Sequence, residues 1–175
     1  RIAALKKKGE HDEHFLALLK EAVQSDEISD DYRKQINSML IEYYNKYYSG
    51  DDFESEISYI DSSDLSVKDS SRLAEVFIDN GMYNAAYEIL ERYGYVMMLP
   101  AKLLKVIVYI LEGYKREYNR FLVELCEYTF TAHIYNETTL TYMIDYYNGP
   151  NSVMYRLWKS GCNFGVDVNA LSERI

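Results

Sequence analysis

Apolar residues recur at intervals of three and four along almost the whole chain, and the strict alternation of a half-buried strand is scarce. From Asp12 to Val23 they fall at Phe15, Leu16, Leu18, Leu19, Ala22 and Val23, the spacing of one amphipathic helix. Ser29-Asp30-Asp31 reads as an N-cap with acids in the first turn. A long helix follows through Ile36, Leu40, Tyr43, Tyr44 and Tyr47 to Gly50, then a shorter one through Phe53, Ile57 and Ile60. The most polar stretch, DSSDLSVKDSS at 61–71, reads as a loop ending in a new cap. Further helices are predicted over about 70–80, 83–93, 101–112, 118–132, 138–148, 151–160 and from 168 onward. Pro100 suits a first helical turn, where its missing N–H costs nothing.

Gly9, Gly50, Gly81, Gly113 and Gly149 each follow one predicted helix and precede another, at separations of 41, 31, 32 and 36 residues. Near-regular periods of this size mark stacked helical hairpins, which bury their apolar stripes only against neighbouring hairpins. In IDNGMYNAAYEIL, 78–90, a helix stops at Asn80-Gly81 and another starts two residues later. Gly81 can end the first helix because it takes the left-handed conformation without a Cβ penalty. The predicted fold is all-α, an irregular α-solenoid of about five helix-turn-helix hairpins forming a single domain over 1–175.

Ala74, Phe77, Gly81, Tyr83, Ala86 and Leu90 stand in the order of a tetratricopeptide hairpin: small, aromatic, turn glycine, aromatic, small, large apolar. This segment resembles the tetratricopeptide repeat. The other hairpins depart from it, with His11, Asp52, Lys115 and Asn151 where the second aromatic belongs. The C-terminal half, from YNRFLVELCEYTF to MYRLWKSGCNFGVDVNALSERI, resembles an uncharacterised family of very long bacterial helical-repeat proteins. That resemblance implies a segment of a large scaffold and adds no site. The first residue is not Met and the last, NALSERI, fall within a predicted helix, so the chain reads as a fragment of a longer one whose flanking hairpins would be its neighbours.

The net charge of −9 argues against nucleic acid or an anionic membrane as the partner, since both need a basic footprint. No run of about 18 apolar residues predicts a membrane span. Cys126 and Cys162 sit among apolar residues, as buried small hydrophobes do, which fits a reducing, cytoplasmic setting. Candidate chemistry is sparse. HDEH, 11–14, places two histidines at i and i+3 without a third ligand at a fixed offset, and reads more simply as a polar helix start. In 61–71, Leu65 and Val67 occupy the positions a calcium loop needs for oxygen ligands. Carboxylate pairs such as Asp30-Asp31 cluster at helix starts and complement the helix dipole. No phosphate loop or dinucleotide fingerprint is present, and no catalytic residue, cofactor or metal is expected.

The informative excess is tyrosine, 19 against 6 phenylalanines. A tyrosine packs its ring while its hydroxyl stays wet, which suits hairpin cores and partner surfaces alike. In tetratricopeptide-like arrays the positions three and six before the turn glycine face the concave groove. Here they are Tyr44, Tyr47, Glu75, Ile78, Ile107, Ile110, Met143 and Tyr146. The apolar seven are the expected partner-binding set, an apolar, tyrosine-rimmed groove for a helix or extended peptide, with an acidic rim repelling acidic partners. The expected function is a non-catalytic protein-interaction module of a scaffold. The alternatives are an architectural spacer and the helical part of a larger enzyme.

Overall fold

The computed structural model describes residues 13–47, 53–113 and 119–146, and among these every regular element is an α-helix. The eight helices are α1 (Glu13–Gln24), α2 (Asp30–Tyr47), α3 (Phe53–Ile57), α4 (Val67–Asp79), α5 (Tyr83–Tyr93), α6 (Pro100–Gly113), α7 (Arg120–Thr131) and α8 (Glu137–Tyr146). The all-α expectation therefore holds. The helices expected at 151–160 and beyond 168, with Gly9, Gly50 and Gly149, lie outside the described residues. Contacts divide the chain into two compact units, Arg1–Met97 and Met98–Ile175.

In the first unit α1 packs on α2, α2 on α4, and α4 on α5. Each helix thus rests on near neighbours in sequence, as in a stacked array. The α4–α5 hairpin shows why its sequence folds as it does. Ser66 caps α4: its hydroxyl oxygen accepts from the Asp69 N–H at 3.1 Å, and the hydroxyl donates to Asp69 Oδ2 at 2.7 Å. The two residues thus cap the helix start, and α4 begins at Val67, inside the 61–71 stretch that reads as a loop. At the far end Gly81 has φ +74°. Its N–H donates to the Ile78 carbonyl at 3.1 Å, and the Met82 N–H to the Phe77 carbonyl at 2.8 Å. That pair of bonds is a Schellman arrangement, built on the left-handed glycine predicted for the turn. Leu73, Ala74, Phe77, Ala86 and Leu90 are buried, the two alanines letting the helices approach. Burying each leucine contributes about 1.5–3 kcal/mol.

In the second unit α6 packs on α7 and α8, and α7 on α8. Pro100 is the first residue of α6, as expected. Gly113 ends α6 without a positive φ, so it makes no left-handed turn. The second Schellman turn lies instead between α7 and α8, at His133, φ +58°. There the Ile134 N–H donates to the Thr129 carbonyl and the His133 N–H to the Phe130 carbonyl, both at 2.9 Å. Asn136 and Thr139 then form a reciprocal cap for α8. Residues 139 to 144 of α8 are all buried, which covers this helix on every face.

Candidate functional site

The predicted groove residues split by depth. Tyr44, Ile78, Ile107 and Met143 are buried in hairpin cores, Ile110 and Tyr146 are half-buried, and Tyr47 is exposed. Tyr44, Tyr47 and Ile78 belong to the first unit and the other four to the second. The structure supplies the reason for Tyr44. Its ring lies edge-on to Tyr43 and Phe53, and Phe53 in turn to Phe77, with centroids 6.1–6.3 Å apart. Phe15 joins through Tyr43 at 6.4 Å, so one aromatic chain crosses α1 to α4. The short helix α3 delivers Phe53 and Glu56 over the position that the repeat analogy left open. The Tyr44 hydroxyl lies 3.0 Å from Glu56 Oε2, which also pairs with the Lys20 ammonium. Lys20 stands 4.9 Å above the Tyr59 ring.

Two other buried or half-buried tyrosines repeat this combination of packed ring and anchored hydroxyl. Tyr93 donates to the Ser62 carbonyl at 2.6 Å and accepts from the Leu65 N–H at 3.4 Å, holding the 58–66 connection. Tyr142 accepts from the Asn119 N–H at 3.0 Å and lies 3.3 Å from the carbonyl oxygen of the same residue, at the N-cap of α7. Composition flagged the tyrosines; nothing in their spacing said that three hydroxyls would anchor main chain.

What remains accessible is a different set of side chains. Val96, Met97 and Leu99 are 75%, 56% and 60% exposed in the α5–α6 connection, with Met98 between them buried. Tyr32, Tyr47, Val67 and Tyr109 are also exposed. Val96 and Met97 are exposed side by side at the end of the first unit, and Leu99 is exposed at the start of the second. Sequence periodicity missed them because they belong to no helix.

The polar clefts are small. Two, of about 300 and 320 Å³, flank the 61–66 connection and share Lys34, Asn37 and Asp64. Buried Asn37 clamps the connection from below, donating to the Asp61 carbonyl at 2.7 Å and accepting from the Asp61 N–H at 3.0 Å. Lys34 pairs with Asp64, and this hydrogen bond raises the lysine pKa. Hydrogen bonds from Ser63 lower the pKa of Asp61. Arg33 is committed to the carbonyls of Val23 and Ser25 at the end of α1. Ser66, beside Asp69, serves as a cap rather than a nucleophile. Burial pushes the Cys126 thiol up to about 12, which keeps it from acting as a thiolate. Among the described residues no three His, Cys, Asp or Glu side chains are grouped to hold a metal, and no helix is long and apolar enough to cross a membrane. Of the HDEH motif only residues 13 and 14 lie within the described residues, and Cys162 lies outside them.

Charge is unevenly divided. Residues 1–97 hold 20 acidic and 11 basic side chains, whereas residues 98–175 hold eight of each. The whole net charge of −9 thus belongs to the first unit. Asp26, Glu27, Asp30, Asp31, Asp61 and Asp64 are among its exposed acids.

Family models match the chain end to end. The N-terminal model of the family of unknown function DUF5717 matches residues 2–119, and the C-terminal model of the same family matches residues 119–175. The chain belongs to this family, and neither model is a tetratricopeptide model. No curated protein and no solved structure matches it.

Proposed function

We propose that this chain is a non-catalytic protein-interaction module, a tetratricopeptide-like scaffold segment of the bacterial cytoplasm that takes up a peptide or helix through apolar and tyrosine side chains. Exposed Val96 and Met97, adjacent at the end of the first unit, carry this reading, because a large apolar side chain kept in water invites a partner to cover it. Tyr47, Ile110 and Tyr146 are the members of the predicted groove with surface left to offer. Buried Tyr44, Ile78, Ile107 and Met143 would act through the rigidity of the hairpins that display the others. The acidic first unit favours a basic or neutral partner and disfavours nucleic acid and anionic membranes.

The test places a photo-crosslinking amino acid at Tyr47 in the source cell, with and without the double change Val96→Ser and Met97→Ser. A discrete protein adduct that the double change removes, at matched helical circular dichroism, is the expected result. An unchanged adduct pattern, or no adduct in either chain, overturns the reading in favour of an architectural spacer.

A further inference from the structure

We propose that Asn80 is a site of spontaneous deamidation whose rate is set by opening of the α4–α5 turn. The proposal rests on the Asn80-Gly81 pair and the hydrogen bonds that hold it. Deamidation at such a pair needs only water. The Gly81 backbone nitrogen, losing its proton, attacks the Asn80 side-chain carbonyl carbon. A C–N bond forms, the bond to the amide nitrogen breaks, and ammonia leaves. Water then opens the five-membered imide at either carbonyl, giving aspartate or isoaspartate. Glycine is the most permissive following residue because it has no Cβ to obstruct the approach, and no atom lies within 4 Å of where one would be.

In the folded hairpin both reacting groups are engaged elsewhere. The Gly81 N–H donates to the Ile78 carbonyl at 3.1 Å. The Asn80 side-chain amide, the leaving group, donates to the Val76 carbonyl at 2.8 Å. The Asn80 backbone sits at φ −100° and ψ +10° as the C-cap of α4, and ring closure requires that main chain to rotate away. Attack therefore demands that the Schellman turn break, releasing the Met82-to-Phe77 bond as well. Local openings of this kind cost anything from almost nothing to the full stability of the protein. The turn thus acts as a latch on a reaction that its own sequence invites.

The product would not close again. Isoaspartate adds one methylene to the main chain between residues 80 and 81, so the left-handed glycine can no longer bring its N–H and that of Met82 onto α4. The hairpin affected is the most closely joined helix pair of the first unit. Openings of the turn thus accumulate slowly as a permanent chemical mark and, in the isoaspartate product, as a weakened hairpin.

The experiment incubates the intact chain in warm, mildly alkaline buffer, folded and in concentrated urea. Peptide mapping by mass spectrometry follows Asn80, and Asn148-Gly149 in the urea sample confirms that the conditions drive the reaction. The folded chain is expected to react at Asn80 at least about tenfold more slowly than the unfolded chain, the ratio that an opening free energy of about 1.4 kcal/mol produces. Urea below the global transition, and the hairpin-loosening change Leu90→Ala, are each expected to raise the folded rate. A ratio below tenfold, no Asn80 product in urea while Asn148 reacts, or no response to mild urea overturns the proposal. Purified isoaspartate-80 chain should also melt below an Asn80→Asp chain, which carries the charge change alone. Equal melting temperatures would overturn the permanent weakening.

Discussion

Two residues show how backbone and burial fix local chemistry. Gly94 ends α5 at φ +96° and ψ +168°, a combination essentially confined to glycine. No atom lies within 4 Å of where its Cβ would be. Gly94→Ala should therefore destabilise the first unit by about 1–3 kcal/mol through conformation alone, without a clash. A urea titration following hydrogen exchange in α4 and α5 measures this, and an unchanged midpoint would refute it. Cys126 behaves differently. Burial holds its folded pKa near 12, so the native state keeps a proton that the unfolded chain releases from about pH 9. Its contribution to stability is fully present below about pH 9 and fades as pH rises towards 12. The stability gap between wild type and Cys126→Ala should narrow as pH rises above about 9, as read by urea midpoints. A constant gap would show that the thiol titrates normally.

Among the elements, the connections carry as much design as the helices. Tyr93 and Tyr142 use their hydroxyls to hold main-chain groups of the connections, at Ser62 and Asn119. Tyr142→Phe keeps the ring but removes the hydroxyl that accepts from the Asn119 N–H at the start of α7. It should cost about 1–3 kcal/mol and raise hydrogen exchange at the Asn119, Phe121 and Leu122 amides, which NMR reads directly. An unchanged exchange rate there would mean the bond does not matter. The α4–α5 hairpin was legible from sequence because Asn-Gly announces its own turn. The α7–α8 hairpin was not: His133 adopts the same left-handed conformation, and no residue type signals that a histidine will do so. Four residues of the predicted groove, Tyr44, Ile78, Ile107 and Met143, are buried for a related reason. Counting back from a glycine finds a helix face, but not what covers that face. α3, five residues long, covers Tyr44. At Gly113 the counting origin was itself not a left-handed turn. Accessible Val96, Met97 and Leu99 lay outside every periodic segment and so carried no signal at all.

For the whole molecule, charge distinguishes the two units more sharply than fold does. Both are helical, yet one carries the entire net charge and the other is neutral. Nine uncompensated negative charges within 97 residues repel one another, and the repulsion weakens the compact state that concentrates them. At low ionic strength the Debye length reaches about 30 Å and spans a unit of this size, whereas near-physiological salt shortens it to about 8 Å. Added salt should therefore stabilise the first unit and leave the second nearly unchanged. The exposed pair of Lys34 with Asp64 contributes only about 0–1 kcal/mol, and the half-buried pairs, Lys20 with Glu56 and Arg72 with Glu42 and Asp69, are screened less by salt, so ion-pair screening should not reverse the sign. Native-state hydrogen exchange at two salt concentrations separates the units without cutting the chain. Amides of α4 and α5 should gain protection with salt while those of α7 hold steady. Equal gains in both units would show instead that salt acts through general exclusion at the protein surface. Loss of protection in α4 and α5 would mean that attractive pairs, not repulsion, dominate the acidic unit, and it would then have little reason to prefer a basic partner.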